Sequence, residues 1–359
     1  MNQEFYFPCE QCGAKLRFSA ATGELQCPYC AHINKIERSA TEAIVEHDYE
    51  KALQRIQERK KEPLEVQNVT CNACGALFEL RSDTHAASCP YCDTPVVLEP
   101  SEFKPIKPQA ILPFTLTPKE AKAAFKEWLS GLWFAPSKLK KYAADNDTLQ
   151  AIYVPYWTYD AATHSYYKGQ RGDAYYVNES YMTSVNGRQT MRTRRVRKIR
   201  WHPVSGELDK SFDDILVLAS RSIKYRLERW DLNNLVDYDS SYLSGYQSEL
   251  YTVELDEGLA RAKTVMQSRI RDAVRRKIGG DEQRIEHLET SYSDITFKHI
   301  LLPVYASAFH FDGKTYAYVV NGRNGEIKGE RPYSKLKIAL AILGAIAAGA
   351  ALYYFIPQS

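Results

Sequence analysis

The 359-residue sequence contains no cysteine after residue 92. The larger part of the chain therefore has neither a disulfide framework nor a cysteine nucleophile. A strong net charge is also lacking, because 47 basic residues are balanced by 44 acidic ones, for a net charge of +3. This balance excludes a global attraction to nucleic acid, so any basic binding surface has to be local.

Recognisable catalytic motifs are missing as well. The sequence has no GxxxxGK[ST] phosphate loop, no GxSxG elbow, no HExxH helix and no GxGxxG turn. The neighbouring Asp213 and Asp214 are interpreted as a solvated turn rather than as an acid–base pair. We therefore expect a protein that is not an enzyme. The first residues do not resemble a signal peptide, so the cysteine-bearing part is expected to lie in a reducing cytoplasm.

All eight cysteines belong to CxxC pairs. The segments CEQCGAKLRFSAATGELQCPYC and CNACGALFELRSDTHAASCPYC are related by a constant offset of 62 residues, which indicates a duplicated module. Two CxxC turns can place four thiolates around one tetrahedral metal ion. The predicted ligand sets are Cys9, Cys12, Cys27 and Cys30 in the first module, and Cys71, Cys74, Cys89 and Cys92 in the second.

The tetrapeptide CPYC, which starts at Cys27 and again at Cys89, is also found in redox dithiols. A redox site needs no second CxxC nearby, whereas both copies here have an upstream CxxCG partner, so metal binding is favoured. Zinc is the preferred ion, and iron stays open as an alternative. We expect two structural Zn2+ ions. Gly13 follows the first CxxC and Ala31 the second, so the second turn is expected to be slightly strained.

The predicted fold class is α+β, with two N-terminal four-cysteine zinc ribbons, a duplicated α+β body and one C-terminal transmembrane helix. In each half of the body a helix, capped by Thr117 or Asp256, precedes an apolar strand. The 25 tyrosines favour strand-rich structure. The predicted boundaries are 1–35 for zinc ribbon 1, 36–65 for a helical linker, 66–100 for zinc ribbon 2, 101–113 for a proline-rich linker, 114–332 for the body (with related halves at about 114–180 and 250–332) and 338–356 for the transmembrane helix.

The stretch IALAILGAIAAGAALYYFI, residues 338–356, carries no charged side chain. At about 1.5 Å per residue it spans roughly 28 Å, close to the hydrocarbon thickness of a bilayer. Arg331, Lys335 and Lys337 precede it. The positive-inside rule therefore predicts a single-pass tail anchor, with the body in the cytoplasm. The alternative is a buried helix of a soluble domain.

One segment concentrates positive charge. RQTMRTRRVRKIRW, residues 188–201, alternates cations with β-branched residues, which predicts a strand with exposed basic edges. Three interpretations stay open: the cations bind nucleic-acid phosphates, bind anionic lipid headgroups, or pair with acidic residues elsewhere. The candidate anion-binding residues are Arg192, Arg194, Arg195, Arg197, Lys198 and Arg200.

Together these features resemble a family of bacterial membrane-anchored proteins with a double, TFIIB-type zinc ribbon. The resemblance rests on the paired CxxCGA…CPYC motifs, on the segments YVPYWTYDA, FDDILVLASRSI and LLPVYASAFHFDGKTYAYVVNG, and on the C-terminal apolar stretch. Members are often named after the primosomal replication-restart helicase, whose zinc-binding cysteine pairs are similar. This chain lacks the ATP-binding loop that a helicase needs. Relatives that occur beside phage-shock-type and flotillin-like membrane proteins imply an envelope scaffold role.

The resulting hypothesis is a membrane-tethered zinc-ribbon adaptor that recruits cytoplasmic proteins to the inner membrane in envelope stress. Its expected partner is a cytoplasmic or membrane scaffold protein, such as a phage-shock-type or flotillin-like protein. Zinc ribbon 2 carries Arg81 against four acidic residues, which favours protein docking over phosphate binding. The alternative is a nucleic-acid-binding accessory protein of DNA replication restart or repair. The partner's identity and the oligomeric state stay open.

Overall fold

The fold is taken from a computed structural model, which describes residues 7–36, 44–58, 67–70, 77–80, 84–88, 95–97, 106–136, 138–139, 149–185 and 188–355. Within these ranges the strands are β1 (Arg17–Ser19), β2 (Glu24–Gln26), β3 (Ile33–Asn34), β4 (His47–Asp48), β5 (Gln67–Thr70), β6 (Leu77–Leu80), β7 (Thr84–Ser88), β8 (Pro95–Val97), β9 (Ala110–Ile111), β10 (Gln150–Val185), β11 (Arg188–Leu218), β12 (Val236–Asp237), β13 (Gln247–Glu249), β14 (Glu282–Phe311), β15 (Lys314–Asn321) and β16 (Ile327–Gly329). The helices are α1 (Tyr49–Glu58), α2 (Pro118–Gly131), α3 (Leu255–Ile278) and α4 (Lys335–Phe355).

Three very long strands organise the main sheet. β10, β11 and β14 contain 36, 31 and 30 residues, whereas strands usually have about 5–6. β10 is central: it pairs antiparallel with β14 over residues 150–172 and with β11 over residues 156–185. The shorter strands β4, β9, β12, β13, β15 and β16 extend this sheet, and β7 and β8 join it through β13. Beyond Gly172, β10 and β11 continue without a third partner among the described strands, so their far ends project as a hairpin.

The α+β fold-class prediction is wrong. Among the residues that the structure describes, β-sheet predominates, with 47% strand and 25% helix. The strands β10 and β11 run without a break through the glycines and prolines of their segments. A Cβ atom at Gly169 would lie 2.1 Å from the Arg284 carbonyl oxygen, and one at Gly206 would lie 2.8 Å from the Tyr167 hydroxyl. These glycines therefore permit close contact across the sheet and do not form turns.

Helix α3 covers one face of the long strands. Its buried side chains, which include Leu259, Met266 and Ile270, pack against Trp157 and Tyr159 of β10. The polar atoms of these two aromatic residues are satisfied at the start of the helix: Trp157 Nε1 donates to the Val253 carbonyl at 2.9 Å, and Tyr159 Oη donates to the Leu255 carbonyl at 2.7 Å. The polar atoms of both buried rings are thus hydrogen-bonded, as buried tyrosine and tryptophan usually require.

Helix α2 begins as its sequence predicts. The Thr117 hydroxyl accepts a hydrogen bond from the Glu120 backbone N–H at 3.3 Å, and the Glu120 carboxylate accepts one from the Thr117 backbone N–H at 2.8 Å. This capping box confirms Thr117 as the N-cap. At α3 the prediction is wrong, because the N-cap is Glu254 and Asp256 lies in the first turn, where its charge faces the positive end of the helix dipole.

The predicted transmembrane helix over 338–356 is also wrong. The segment forms helix α4, but in the part of the chain that the structure describes no helix is long and apolar enough to cross a membrane. Lys335 and Lys337 lie in its first turn. The membrane and tail-anchor predictions that depended on this helix lose their support.

Candidate functional site

The first cysteine module forms a small sheet with two turns at one end. β1 pairs with β2, and β2 pairs with β3. Cys9 and Cys12 lie in the turn before β1, whose ends are joined by a bridge between Pro8 and Lys15. Cys27 and Cys30 lie in the turn between β2 and β3. This unit, residues 7–36, is called ribbon 1 below.

The four sulfur atoms of ribbon 1 form a tetracysteine cluster that can bind a metal ion. All four lie within 4.8 Å of one another. The Cys9 and Cys30 sulfurs are 3.6 Å apart, and those of Cys12 and Cys27 are 3.5 Å apart. These distances are too long for a disulfide, which needs about 2.05 Å. A tetrahedral site with metal–sulfur bonds of about 2.3 Å has sulfur–sulfur distances of about 3.8 Å. The cluster therefore matches the geometry of a metal ion bound by four thiolates.

Backbone N–H groups in and just after the second turn donate hydrogen bonds to the sulfurs of Cys27 and Cys30. The Cys30 and Tyr29 N–H groups donate to the Cys27 sulfur, and the first of these bonds is the main cause that lowers the pKa of Cys27 to about 6. The His32 N–H likewise donates to Cys30 and lowers its pKa, but burial and the neighbouring thiols outweigh this bond and raise the pKa of Cys30 to about 12. Metal uptake must therefore displace protons from the cluster, and it depends on pH.

Each turn ends in a residue with left-handed backbone. Gly13 has φ +72° and Ala31 has φ +59°, and their N–H groups donate to the carbonyls of Cys9 and Cys27. The strain expected at Ala31 is thus present, because alanine rarely adopts this conformation.

Exchanging the residue types at these two positions should change stability in opposite directions. No atom lies within 4 Å of a Cβ at Gly13, so Gly13→Ala introduces backbone strain alone and should cost about 1 kcal/mol. Ala31→Gly should relieve the strain and stabilise ribbon 1 by about 0.5–1 kcal/mol. Urea unfolding of the two variants measures both changes. Changes of the same sign in both variants would contradict the shared geometry of the turns.

Ribbon 1 is fixed to the body on the side away from its turns. The Phe18 ring lies 5.2 Å from that of Tyr242 and 6.1 Å from that of Tyr246, measured between ring centroids. The Phe18 N–H donates to the Ser244 carbonyl at 2.9 Å, and the Ser244 hydroxyl donates to the Leu16 carbonyl at 2.7 Å. The ribbon and the body therefore share one hydrophobic core.

The second predicted ligand set, Cys71, Cys74, Cys89 and Cys92, lies outside the described residues. The adjoining strands are described: β5 pairs with β6, and β7 pairs with β8. β7 also pairs with β13 through Ala86 and Ser248. The second module thus contributes strands to the main sheet, which the sequence reasoning did not predict.

The basic segment lies in β11, on the hairpin that projects beyond Gly172. Its six candidate cations, Arg192, Arg194, Arg195, Arg197, Lys198 and Arg200, are all exposed. Arg194 and Lys198 lie 3.6 and 2.8 Å from the Glu179 carboxylate, and Arg197 lies 2.8 Å from Glu282. The strand prediction is confirmed, and part of the charge pairs with acidic residues as one of the three interpretations expected.

A buried ion cluster around Lys298 was missed. This lysine is 7% exposed, and its Nζ lies 2.8 Å from Glu46, 2.8 Å from Asp214 and 4.0 Å from Asp160. Bulges in β11 and β14 on both sides of Asp160 bring these residues together, and Asp214 has φ +50° at one of them. Asp214 thus lies in an ion cluster and not in a solvated turn.

The charges of this cluster depend on one another. Burial, together with the Glu46 carboxyl group, raises the pKa of Asp160 to about 7. Burial opposes the charge of Glu46 too, but hydrogen bonds with Lys298, Asp160 and Thr296 and the charge of Lys298 together outweigh burial and lower the pKa of Glu46 to about 2. Asp160 is therefore largely protonated below neutral pH, while Glu46 and Asp214 balance the lysine.

Asp160→Asn should remove part of the pH dependence of stability. The folded chain holds the Asp160 proton more tightly than the unfolded chain, so this group lowers the free energy of unfolding as pH rises from about 4 to 7. Asparagine resembles the protonated form and is expected to gain about 1–2 kcal/mol over wild type between pH 5 and pH 8. Urea unfolding at both pH values tests this. Equal pH dependence of the two proteins would rule out titration at Asp160.

In the described chain, these features define a mostly-β protein with a fused tetracysteine unit and a projecting basic hairpin. Comparison with known proteins adds one relative, Uncharacterized protein YdjG of Bacillus subtilis (strain 168), which is 24% identical over 343 residues, 93% of this chain and 92% of that protein. No family model and no solved structure matches the chain. The similarity thus extends over nearly the whole chain but brings no activity with it.

Proposed function

We propose that the protein is a non-enzymatic zinc-ribbon adaptor, in which a structural Zn2+ ion holds ribbon 1 as a rigid docking surface for another protein. Zinc suits the cluster because four thiolates at these separations match its tetrahedral preference. Four protein ligands leave no open coordination position, which favours a structural ion over a catalytic one. The second cysteine set, by its sequence identity to the first, would hold a second ion.

The observation that carries the docking proposal is the exposed tip of ribbon 1. One side of the ribbon is buried against the body, whereas Tyr29, between Cys27 and Cys30, is 84% exposed. Tyrosine is enriched among residues that dominate protein–protein binding energy. A Zn2+ ion with four thiolates adds about two negative charges beside it, which disfavours phosphate binding and favours a protein partner.

Site-specific photocrosslinking in cells tests the proposal. A photoreactive phenylalanine at position 29 should give a discrete adduct with another protein, and the adduct should disappear when Cys27→Ser is added. The matched control is the same residue at position 22, where exposed Thr22 lies at the opposite end of ribbon 1. Absence of an adduct at position 29, or equal adducts at both positions, would argue against docking through this tip.

A further inference from the structure

The feature that carries the inference is the projecting hairpin, called the arm below and defined as residues 173–185 of β10 and 188–200 of β11. β14 leaves the sheet at its pair between Gly172 and Glu282, and no other described strand pairs with the arm. At roughly 3.3 Å per residue the arm is about 40 Å long. Both of its faces are open to solvent in the described part of the chain.

An arm of this kind gains little stability from its own pairing, because an isolated two-stranded hairpin is only marginally stable in water. It also exposes large apolar side chains, among them Tyr176, Met182 and Met191. The arm holds these side chains away from the hydrophobic core, so they do not contribute to core packing. The arm is therefore suited to contact another molecule.

Positive charge is present on both faces of the arm. Successive side chains of a strand alternate between faces, so Arg192, Arg194, Lys198 and Arg200 lie on one face and Arg195 and Arg197 lie on the other. A flat membrane surface can be reached by only one face at a time. A groove with a negatively charged wall on each side can bind the cations of both faces at once.

Several of these cations are available and already oriented. Among the described residues, no ion pair joins Arg192, Arg195 or Arg200 to a carboxylate. Tyrosine rings position three of the guanidinium groups: Arg195 lies 4.2 Å from the ring centroid of Tyr176, Arg200 lies 5.2 Å from that of Tyr175, and Arg194 lies 5.4 Å from that of Tyr181. Oriented arginines lose less side-chain entropy when they bind phosphate.

We infer that the arm binds duplex DNA, with the hairpin in the major groove and its arginines on the phosphates of both strands. The major groove is about 12 Å wide and admits a two-stranded β-ribbon. The major groove of duplex RNA is too narrow for this. A second copy of the chain is disfavoured because two arms of the same charge repel. The binding is independent of sequence, since its contacts are to phosphates, and it uses a surface separate from ribbon 1.

Fluorescence anisotropy of the full chain with a duplex DNA of about 20 base pairs tests the inference. Binding should weaken as salt rises from about 50 to 200 mM. The triple variant Arg192→Gln, Arg195→Gln and Arg200→Gln should bind at least about tenfold more weakly, and the slope of log K against log salt should become shallower by nearly 3, at about 0.9 per phosphate contact. The control replaces three exposed lysines of α2, as Lys119→Gln, Lys122→Gln and Lys126→Gln, and should bind like wild type.

A second variant keeps the test independent of any folding defect in the first. Replacing residues 178–195 by Asn-Gly shortens the arm after the pair Val177–Val196; it should leave the melting temperature of the body unchanged and abolish DNA binding. Lack of DNA binding by wild type, equal loss in the α2 control, or full binding by the shortened chain would overturn the inference. So would equal affinity for duplex RNA, or tighter binding to vesicles of phosphatidylglycerol than to DNA.

Discussion

Removal of the metal should unfold ribbon 1 while the long strands of the main sheet stay folded. Ribbon 1 has only the strands β1, β2 and β3 and a few buried side chains, such as Leu16, Phe18 and Leu25. A unit of this size depends on its metal, and a structural Zn2+ contributes about 10–16 kcal/mol of binding free energy near pH 7. Without the ion, several thiols clustered within 4.8 Å have no common partner to hold them together.

Hydrogen exchange on the full chain measures this effect. With a chelator, or in Cys27→Ser, the amides of Gly13, Phe18 and Ala31 should lose their protection, because their hydrogen bonds depend on the turns and on the contact with Ser244. Amides of β10 and β14 should stay protected. Tyr29→Ala is the matched control, since it changes the same turn but leaves the four sulfurs in place. Full protection of ribbon 1 in the metal-free chain would contradict the structural role of the ion.

The second large effect is expected at Lys298. Lys298→Met keeps much of the side-chain volume but leaves the carboxylates of Glu46 and Asp214 without their buried cation. Removing one partner of a buried ion pair typically costs about 3–5 kcal/mol, because the remaining charge is uncompensated. Urea unfolding at pH 8 should show a loss of this size. The control Arg221→Met breaks an exposed pair with Glu257, which should cost less than about 1 kcal/mol.

Neutralising the acids should restore part of this loss. The combination of Lys298→Met with Glu46→Gln and Asp214→Asn has no uncompensated charge next to the methionine, and asparagine also tolerates the left-handed backbone found at Asp214. We expect it to recover at least half of the stability lost in Lys298→Met. If Lys298→Met is as stable as wild type, or if the triple variant is less stable than Lys298→Met, the cluster is not stabilised by charge balance.

The cysteine cluster could be predicted because its requirements are local. A CxxC turn places two sulfurs on one side of an ion whatever the rest of the chain does, and the spacing between Cys12 and Cys27 leaves room for two short strands. Even the strained backbone at Ala31 follows from comparing it with Gly13. The basic segment was likewise recognisable as an exposed strand, because charge alternation is also a local property.

The architecture of the body could not be predicted in the same way. Strand length depends on partners far away in sequence: Gly169 lies against the carbonyl of Arg284, and Gly206 lies against Tyr167. Read alone, such glycines indicate turns. β14 starts just after the turn at Gly279 that ends α3, and its first residue pairs with Gly172 of β10. The arm projects because β14 does not pair with β10 beyond this point. This stopping point is a property of the folded sheet.

The ion cluster was missed for a related reason. Glu46, Asp160, Asp214 and Lys298 come from four separate parts of the chain, and each looks like an ordinary surface charge in its own segment. Two bulges beside Asp160 bring them into contact. At the apolar C-terminal stretch a feature was predicted that the described structure does not have. Its composition suggested a membrane span, which the described part of the chain does not contain.

We expect Cys9, Cys12, Cys27 and Cys30 to hold one structural Zn2+ ion. X-ray absorption on the purified full chain, combined with metal analysis, tests it most directly. The spectrum should show zinc surrounded by four sulfurs at about 2.3 Å, and Cys27→Ser should lose one ion per chain while Tyr29→Ala loses none. Iron in the site, nitrogen or oxygen ligands in place of sulfur, or unchanged metal content in Cys27→Ser would contradict it.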